Sequence, residues 1–379
     1  MKTNSEKKIK ENTGGKYFLI GVVMFFVGAI SLYAVMYFFP APFVKTITEE
    51  TRNVNITDTG IADAVEKIYD AVVVVKTYKS QQLYATGTGF VYKRDDNKAY
   101  ILTNNHVIES GDAIYVEFTD GRQIETSVEG KDMYSDIAVL SLDADEVSVV
   151  AEMGSSEDAR VGDTVFTVGA PINSDAYSGT VTRGILSGKN RLVGVSTQNS
   201  NVSDIMMSVL QTDAAINSGN SGGPLVNANG EVIGITSLKL SSSGLSSSAS
   251  IEGMGFAIPI ETALSYAEKL ENGETIERPS LGITMRNLAD AMYYHYPALN
   301  NIGVDSGVYV ESVTDGSPAA DGGIKTGDVI TAVDDKEITD LAYLRYLLYN
   351  HSVGDTMKVT VYRDGDYKDL TIHLDQKAS

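Results

Sequence analysis

At 379 residues the chain is long enough for two or three domains, each with a core of its own. A hydrophobic share of 43% with only 8 prolines excludes a disordered chain, and the absence of cysteine excludes disulfides and thiolate metal sites. The net charge of −20 gives an acidic surface that repels nucleic acid and anionic lipid, so neither is an expected partner.

The N-terminal segment is basic and then strongly apolar. Residues 1–16 hold five lysines and two glutamates, a charge of +3, which leaves −23 on the remainder of the chain. Residues 17–39 carry no charge, and 23 residues in a helix reach roughly 34 Å, more than the ~30 Å hydrocarbon core of a bilayer. Tyr17, Tyr33 and Tyr37 lie near its ends, where tyrosine rings favour the membrane interface.

We therefore predict a cytoplasmic tail at 1–16 and a transmembrane anchor at 17–39. The lysines would stay in the cytoplasm, so that the protein crosses the cell membrane once and the rest of the chain is extracytoplasmic. The alternative is a cleaved signal peptide. No A-x-A site follows the apolar run, however, and the run is long for a signal core.

Residues 40–60 have the composition of a linker, and residues 61–70 have the apolar spacing of a helix. Beyond them, short apolar runs recur between turn residues, which is typical of an all-β barrel or sandwich. These runs are AVVVVKTY, GTGFVYK, AYILTN, AIYVEF, IAVLSL, TVFTVG, EVIGITS and GFAIPI. A polar loop at 241–250 and a helix at 261–270 follow, so we assign 61–270 to one mainly β domain.

The last hundred residues form a different pattern, which predicts a small α+β domain at 279–376. Four strand-like segments are separated by turns: GVYVESV, DVITAV, TMKVTVYR and YKDLTIHL. Residues 341–350 are apolar at helical spacing, and Thr339 and Asp340 stand before them as candidate caps. The segment ENGETIERPS between the two domains is interpreted as a hinge.

The β-rich domain contains a single histidine, His106, at the turn in ILTNNHVI. A lone histidine is more often structural than catalytic. Asp136 follows 30 positions later in MYSDIAVL, beside a strand where its carboxylate could be buried against an imidazole. Asp132 is a nearby competitor for that role, and either aspartate could instead be an ordinary turn residue.

Ser221 is the candidate nucleophile in the glycine-rich segment Gly219-Asn220-Ser221-Gly222-Gly223-Pro224. The glycines allow backbone conformations that aim amides into a cavity, so the N–H groups of Gly219 and Ser221 could form an oxyanion hole. A plain surface turn is the alternative, although apolar residues flank the segment on both sides. The α/β-hydrolase elbow G-x-S-x-G is disfavoured, because Pro224 follows instead of a helix and the histidine precedes the serine.

Together these segments resemble the high-temperature-requirement A (HtrA, or Deg) family of serine proteases, over about residues 60–265. The matching segments are GTGFVY, ILTNNHVI, SDIAVL, VTRGILS, QTDAAINSGNSGGPLVNANGEVIGI and GFAIPI. The resemblance implies a trypsin-like domain of two six-stranded β-barrels, with a catalytic triad of His106, Asp136 and Ser221 in the cleft between them. It also implies a homotrimer.

The C-terminal domain resembles a single PDZ domain. Ser280, Leu281, Gly282 and Ile283 match the loop that captures a peptide carboxylate, and GSPAADGGIKTGDVI matches a second PDZ segment. A C-terminal peptide would then add a strand beside this loop. The apolar helix at 341–348 would wall the groove, although some of its leucines must belong to the core.

The predictions of substrate specificity and of regulation each depend on a few individual residues. Ala215 stands six residues before Ser221, where trypsin-like enzymes select charge, so with Ile216 and Leu238 it predicts a small apolar P1 residue. Arg191 matches the family's loop arginine that relays PDZ occupancy to the active site. The stretch KSQQLYATG is short where cage-forming members carry a long insertion, which argues against a chaperone cage.

The sequence therefore predicts a membrane-anchored, ATP-independent serine endopeptidase that cleaves misfolded or exposed segments of exported proteins and needs neither a metal nor an organic cofactor. Two alternatives stay open. One is a catalytically silent PDZ adaptor or chaperone, and the other is a dedicated regulatory protease for one membrane signalling protein.

Overall fold

The computed structural model describes residues 13–38, 58–169, 179–195, 205–237, 253–295 and 303–378. These residues belong to two compact units, Met1–Asn55 and Ile56–Ser379. In the first unit a single helix, α1 (Thr13–Phe38), covers most of the predicted anchor. Its stretch Tyr17–Val35 is long and apolar enough to cross a membrane, and none of it is buried within the protein.

The second unit begins with helix α2 (Asp58–Tyr69), which starts inside the segment predicted as a linker. Ile61, Ala64 and Ile68 are buried on one face of this helix, at the spacing that makes a short helix amphipathic. The helix therefore belongs to the β domain and packs into its core.

The first sheet of the β domain contains seven strands in the order β5-β4-β1-β2-β3-β7-β6. A single residue separates β5 from β6, although they lie at opposite ends of this order, so the sheet must curl round on itself. Helix α3 (Asn105–Ile108) interrupts it after the third strand. The strands are β1 (Val72–Lys79), β2 (Gln82–Arg94), β3 (Lys98–Thr103), β4 (Ala113–Glu117), β5 (Gln123–Glu125), β6 (Ser127–Asp132) and β7 (Ile137–Asp143).

The second sheet also contains seven strands, in the order β12-β9-β10-β11-β14-β13-β8. Because β12 also pairs with β13, six strands close into a ring, and the two-residue β8 pairs with β13 outside it. Helix α4 (Ile260–Glu271) follows. The strands are β8 (Glu152–Met153), β9 (Thr164–Gly169), β10 (Thr180–Val195), β11 (Ile205–Thr212), β12 (Pro224–Asn227), β13 (Glu231–Thr236) and β14 (Gly255–Pro259).

The C-terminal domain is a sheet in the order β15-β16-β17-β19-β20, with β18 paired to β17. Asp340 caps helix α7 (Leu341–Tyr349) through its side chain, which accepts a hydrogen bond from the Tyr343 N–H at 2.8 Å. Three leucines of α7 are buried in the core of this domain. Its elements are β15 (Ile283–Asn287), α5 (Leu288–Asp290), β16 (Val308–Val313), α6 (Pro318–Asp321), β17 (Val329–Val333), β18 (Lys336–Glu337), α7 (Leu341–Tyr349), β19 (Thr356–Arg363) and β20 (Asp366–His373).

The fold is thus mainly β, with an N-terminal apolar helix and an α+β domain at the C-terminus. Each sheet of the β domain holds one strand more than the six expected. In the first sheet, a one-residue break divides one stretch of chain into β5, which pairs with β4, and β6, which pairs with β7. In the second sheet, the extra strand is the short β8.

Candidate active site

His106 and Asp136 lie next to each other at the same end of the paired strands β3 and β7. His106 lies on α3 and Asp136 directly before β7, and Nδ1 of the imidazole is 2.9 Å from Oδ2 and 3.0 Å from Oδ1 of the carboxylate. The Asp136 side chain is 1% exposed and that of His106 is 23% exposed. An Nδ1–H donated to a buried carboxylate leaves Nε2 as the proton acceptor of the ring.

Asp136 is held in place from several sides. Its φ of 56° lies in the left-handed region, which costs energy unless the surroundings fix it. Its carbonyl accepts hydrogen bonds from the Asn104 amide at 3.0 Å and from the Asn105 N–H at 3.1 Å. Its carboxylate accepts one from the His106 N–H at 3.0 Å and one from the Ser237 hydroxyl at 3.1 Å.

Ser237 is completely buried at the end of the second sheet, so the carboxylate is bonded by groups from both sheets of the domain. Neither Ser237 nor the two asparagines were singled out from the sequence. The only local signal was the pair Asn104-Asn105 directly before the histidine. Ser237 carries no local signal, because it lies 101 positions from its partner.

Asp132, the competing aspartate, points elsewhere. Its carboxylate binds Arg278 through two parallel hydrogen bonds, Nη1 to Oδ1 at 2.7 Å and Nη2 to Oδ2 at 2.8 Å. It also accepts hydrogen bonds from the N–H and the hydroxyl of Ser135. The structure therefore pairs His106 with Asp136, while Asp132 fixes the turn that precedes it.

Ser221 lies in the loop between β11 and β12, and this loop packs directly against the first sheet. The Thr88 N–H donates to the Ser221 carbonyl at 2.8 Å, and the Thr88 hydroxyl donates to the Gly219 carbonyl at 2.6 Å. Thr103 donates in turn to the Thr88 carbonyl at 2.8 Å. The loop that carries the serine is therefore bonded to the strands that lead to His106.

Two glycines of this loop have positive φ, 104° at Gly219 and 83° at Gly222, where an L side chain would be strained. A Cβ at Gly222 would lie 2.2 Å from the Thr88 carbonyl oxygen and 2.4 Å from the Thr103 hydroxyl oxygen. The serine loop can approach the first sheet this closely only because this position carries no side chain.

Two of the three predicted specificity residues, Ala215 and Ile216, lie in the serine loop ahead of Ser221. Ala215 is exposed, and its carbonyl accepts hydrogen bonds from the Thr182 hydroxyl at 2.8 Å and the Asn220 amide at 3.3 Å. Ile216 is half-buried and packs over Gly255. Leu238 lies outside the described residues.

Arg191 lies on β10 opposite Val209, beside an irregularity where Asn190 has a φ of 53°. A Cβ added to Gly188 would lie 2.7 Å from the Arg191 Nε, so the side chain folds back over its own strand.

In the C-terminal domain, the four residues of the predicted carboxylate loop lead into β15, an edge strand. Among the described residues β15 pairs with β16 alone, which leaves its other side open to an added strand. Leu281 is buried, and Gly282 has a φ of 68° and approaches Ser317 so closely that a Cβ would lie 2.4 Å from the Ser317 Cβ. The loop is bonded to the rest of the domain through the carbonyls of Leu281 and Gly282.

Comparison with known protein families supports the assignment of both domains. A family model described as a trypsin-like peptidase domain matches residues 87–235, and a PDZ domain model matches residues 279–374. The chain is therefore a trypsin-like serine endopeptidase with one PDZ domain.

Its relatives narrow this class. The chain is 36% identical to the serine protease Do-like HtrA of Lactococcus lactis subsp. cremoris, over 88% of both proteins. It is 42% identical to the protein of the same name from Lactobacillus helveticus, over 78% of this chain and 69% of that protein. The protein belongs to the HtrA family of serine proteases.

Solved structures give the same result. A serine endoprotease from Yersinia pestis superposes with a TM-score of 0.60 at 31% identity, over 84% of this chain and 98% of that one. The HtrA-type protease AlgW, solved with a tripeptide, superposes with a TM-score of 0.60 at 31% identity, over 83% and 96%.

Proposed function

We propose that this protein is a membrane-anchored, ATP-independent endopeptidase, with Ser221 as nucleophile, His106 as general base and Asp136 as the residue that orients the base. The observation that supports this most strongly is the contact between the His106 Nδ1 and the buried Asp136 carboxylate at 2.9 Å. The serine loop bonded to the same sheet supplies the third residue.

Cleavage would proceed through an acyl-enzyme. His106 takes the proton from the Ser221 hydroxyl as its oxygen attacks the scissile carbonyl, and Asp136 stabilises the imidazolium that forms. The N–H groups of Gly219 and Ser221 donate to the oxyanion, and His106 then gives its proton to the leaving amine. A water activated by the same imidazole releases the second product.

The substrates we propose are misfolded or exposed segments of exported proteins. Helix α1 would hold the protein in the cell membrane, with the lysine-rich tail in the cytoplasm and both domains outside. Ala215 and Ile216, together with Leu238, would favour a small apolar P1 residue. The Asp213 carboxylate accepts a hydrogen bond from the Ile185 N–H at 2.6 Å. Because this carboxylate binds the backbone, we do not assign it to the recognition of a basic P1 residue, which supports the apolar preference.

A C-terminal peptide would bind the PDZ domain beside β15, with its carboxylate at Ser280, Leu281, Gly282 and Ile283. Arg191 would relay this occupancy to the active site, and we propose the homotrimer typical of the family as the working assembly. AlgW, a related HtrA-type protease, has been solved with short peptides.

The test is degradation of casein by the full chain in detergent micelles, compared with Ser221→Ala. We expect complete loss of cleavage in the variant, and equal cleavage by both proteins would refute the proposal. A silent adaptor would leave casein intact in both. A dedicated regulatory protease would leave casein intact but cut one membrane protein in cells, which a proteome comparison with the Ser221→Ala strain would identify.

A further inference from the structure

Arg278 lies at the junction of the two domains, directly before the residues matched by the PDZ model. It is 8% exposed and makes the bidentate pair with Asp132 on the turn between β6 and β7. Its carbonyl accepts a hydrogen bond from the Ala378 N–H at 2.8 Å. The segment interpreted from the sequence as a hinge is therefore fixed at this residue.

Three tyrosine rings surround the guanidinium, and each comes from a different part of the protein. The ring centroids lie 4.8 Å away for Tyr134, on the same turn as Asp132, 5.8 Å for Tyr266 on α4, and 5.5 Å for Tyr349 at the end of α7 in the PDZ domain. Tyr134 and Tyr349 also contact each other edge to face at 5.5 Å. The ion pair is thereby shielded from water, which strengthens it.

The same carboxylate holds the residue beside Asp136. Oδ2 of Asp132 accepts hydrogen bonds from the Ser135 N–H at 2.7 Å and from its hydroxyl at 2.6 Å, and Ser135 is 3% exposed. Asp136 follows with its left-handed φ. The turn is thus bonded at one end to His106 and its neighbours and at the other end to Arg278.

We propose that Arg278 is a positioning residue for peptide hydrolysis, which acts through Asp132 and Ser135 to hold Asp136 against His106. The proposal rests on the function proposed above. Without the guanidinium, the buried Asp132 carboxylate keeps only its hydrogen bonds from Ser135 and has no opposite charge beside it, and it gains hydration only if the turn opens. Opening the turn frees Ser135 and lets the strained backbone of Asp136 relax away from the imidazole.

The test compares Arg278→Met with Arg363→Met in the full chain. Arg363 provides a matched control, because it makes a similar bidentate pair with Asp328 inside the PDZ domain, far along the chain from the catalytic residues. Methionine keeps the apolar stem at both sites. The rate of hydrolysis is measured with a short chromogenic peptide. It is divided by the concentration of active sites, which is titrated with a fluorophosphonate so that unfolded molecules are not counted.

We expect kcat of Arg278→Met to fall by about 10- to 100-fold with KM within twofold, since a displacement near 1 Å costs about a hundredfold. Arg363→Met should lose stability without this loss of kcat. The double variant Arg278→Met/Asp132→Asn should be no slower than the slower single variant, because both act through one carboxylate. If Arg278→Met does not fold, Arg278→Lys is used, and it should lose several-fold in kcat because it cannot bond both oxygens.

A kcat within twofold of wild type in folded Arg278→Met, or in Arg278→Lys where that variant replaces it, would overturn the inference. So would equal losses of kcat in the Arg278 variant and Arg363→Met. The two proposals fail separately. If the wild-type activity survives Ser221→Ala, the proposed function fails. If the activity depends on Ser221 but not on Arg278, the proposed function stands and only the inference about Arg278 fails.

Discussion

Gly222 offers the sharpest test of how the serine loop is positioned. Its φ of 83° costs an alanine about 1–2 kcal/mol, and the added Cβ would lie 2.2 Å from the Thr88 carbonyl oxygen. The serine loop must move about 1 Å from Thr88 before the added Cβ reaches an ordinary van der Waals distance. Overpacking of this kind costs about 1–3 kcal/mol more. We therefore expect Gly222→Ala to lose about 2–5 kcal/mol of stability and about a hundredfold in kcat.

Gly121 provides the control, because it has the same φ of 83° with nothing within 4 Å of an added Cβ. Gly121→Ala should lose only the backbone cost of about 1–2 kcal/mol and keep its activity. Urea unfolding gives the stability of both variants, and turnover of a chromogenic peptide gives kcat. If Gly222→Ala matches Gly121→Ala in both measurements, the loop is not held against Thr88 as described.

Two further substitutions test the hydrogen bond from Ser237 to Asp136 and the carboxylate loop of the PDZ domain. Ser237→Ala removes one donor from the buried Asp136 carboxylate, so kcat should fall about tenfold with little change in KM, as measured on the same peptide. A kcat within twofold of wild type would show that this hydrogen bond does not support the base. Gly282→Ala places a Cβ 2.4 Å from that of Ser317 at a φ of 68°, so binding of an apolar C-terminal peptide should weaken more than tenfold by fluorescence polarisation. Unchanged binding would place the carboxylate site elsewhere, and hydrolysis of a short peptide serves as the folding control.

The alternation of short apolar runs and turn residues predicted strand limits well where a turn residue stands directly at each end of the run. TVFTVG corresponds to β9 (Thr164–Gly169) and TMKVTVYR to β19 (Thr356–Arg363), end to end. The predicted cap at Asp340 is present in the structure. The boundary at residue 60 was less accurate, since α2 begins at Asp58 within a polar stretch that has no apolar periodicity to mark it.

The partners of the site residues could not be predicted in the same way. His106, Asp136 and Ser221 stand in recognisable segments, but the Arg278–Asp132 pair joins positions 146 apart and the Ser237–Asp136 bond joins positions 101 apart. Such contacts depend on how the sheets and the PDZ domain pack, which no local spacing encodes. Spacing alone leaves Asp132 and Asp136 as competitors, and the family resemblance favours Asp136. Their different partners distinguish them in the structure.

If His106 activates Ser221 as a nucleophile, a fluorophosphonate reacts with that serine and needs the histidine to do so at its full rate. Intact-mass spectrometry of the full chain after reaction with a fluorophosphonate, followed by peptide mapping, tests this activation most directly. We expect one adduct, on Ser221, which is absent in Ser221→Ala and forms far more slowly in His106→Ala. An adduct on another residue, or equal labelling of wild type and Ser221→Ala, would contradict it.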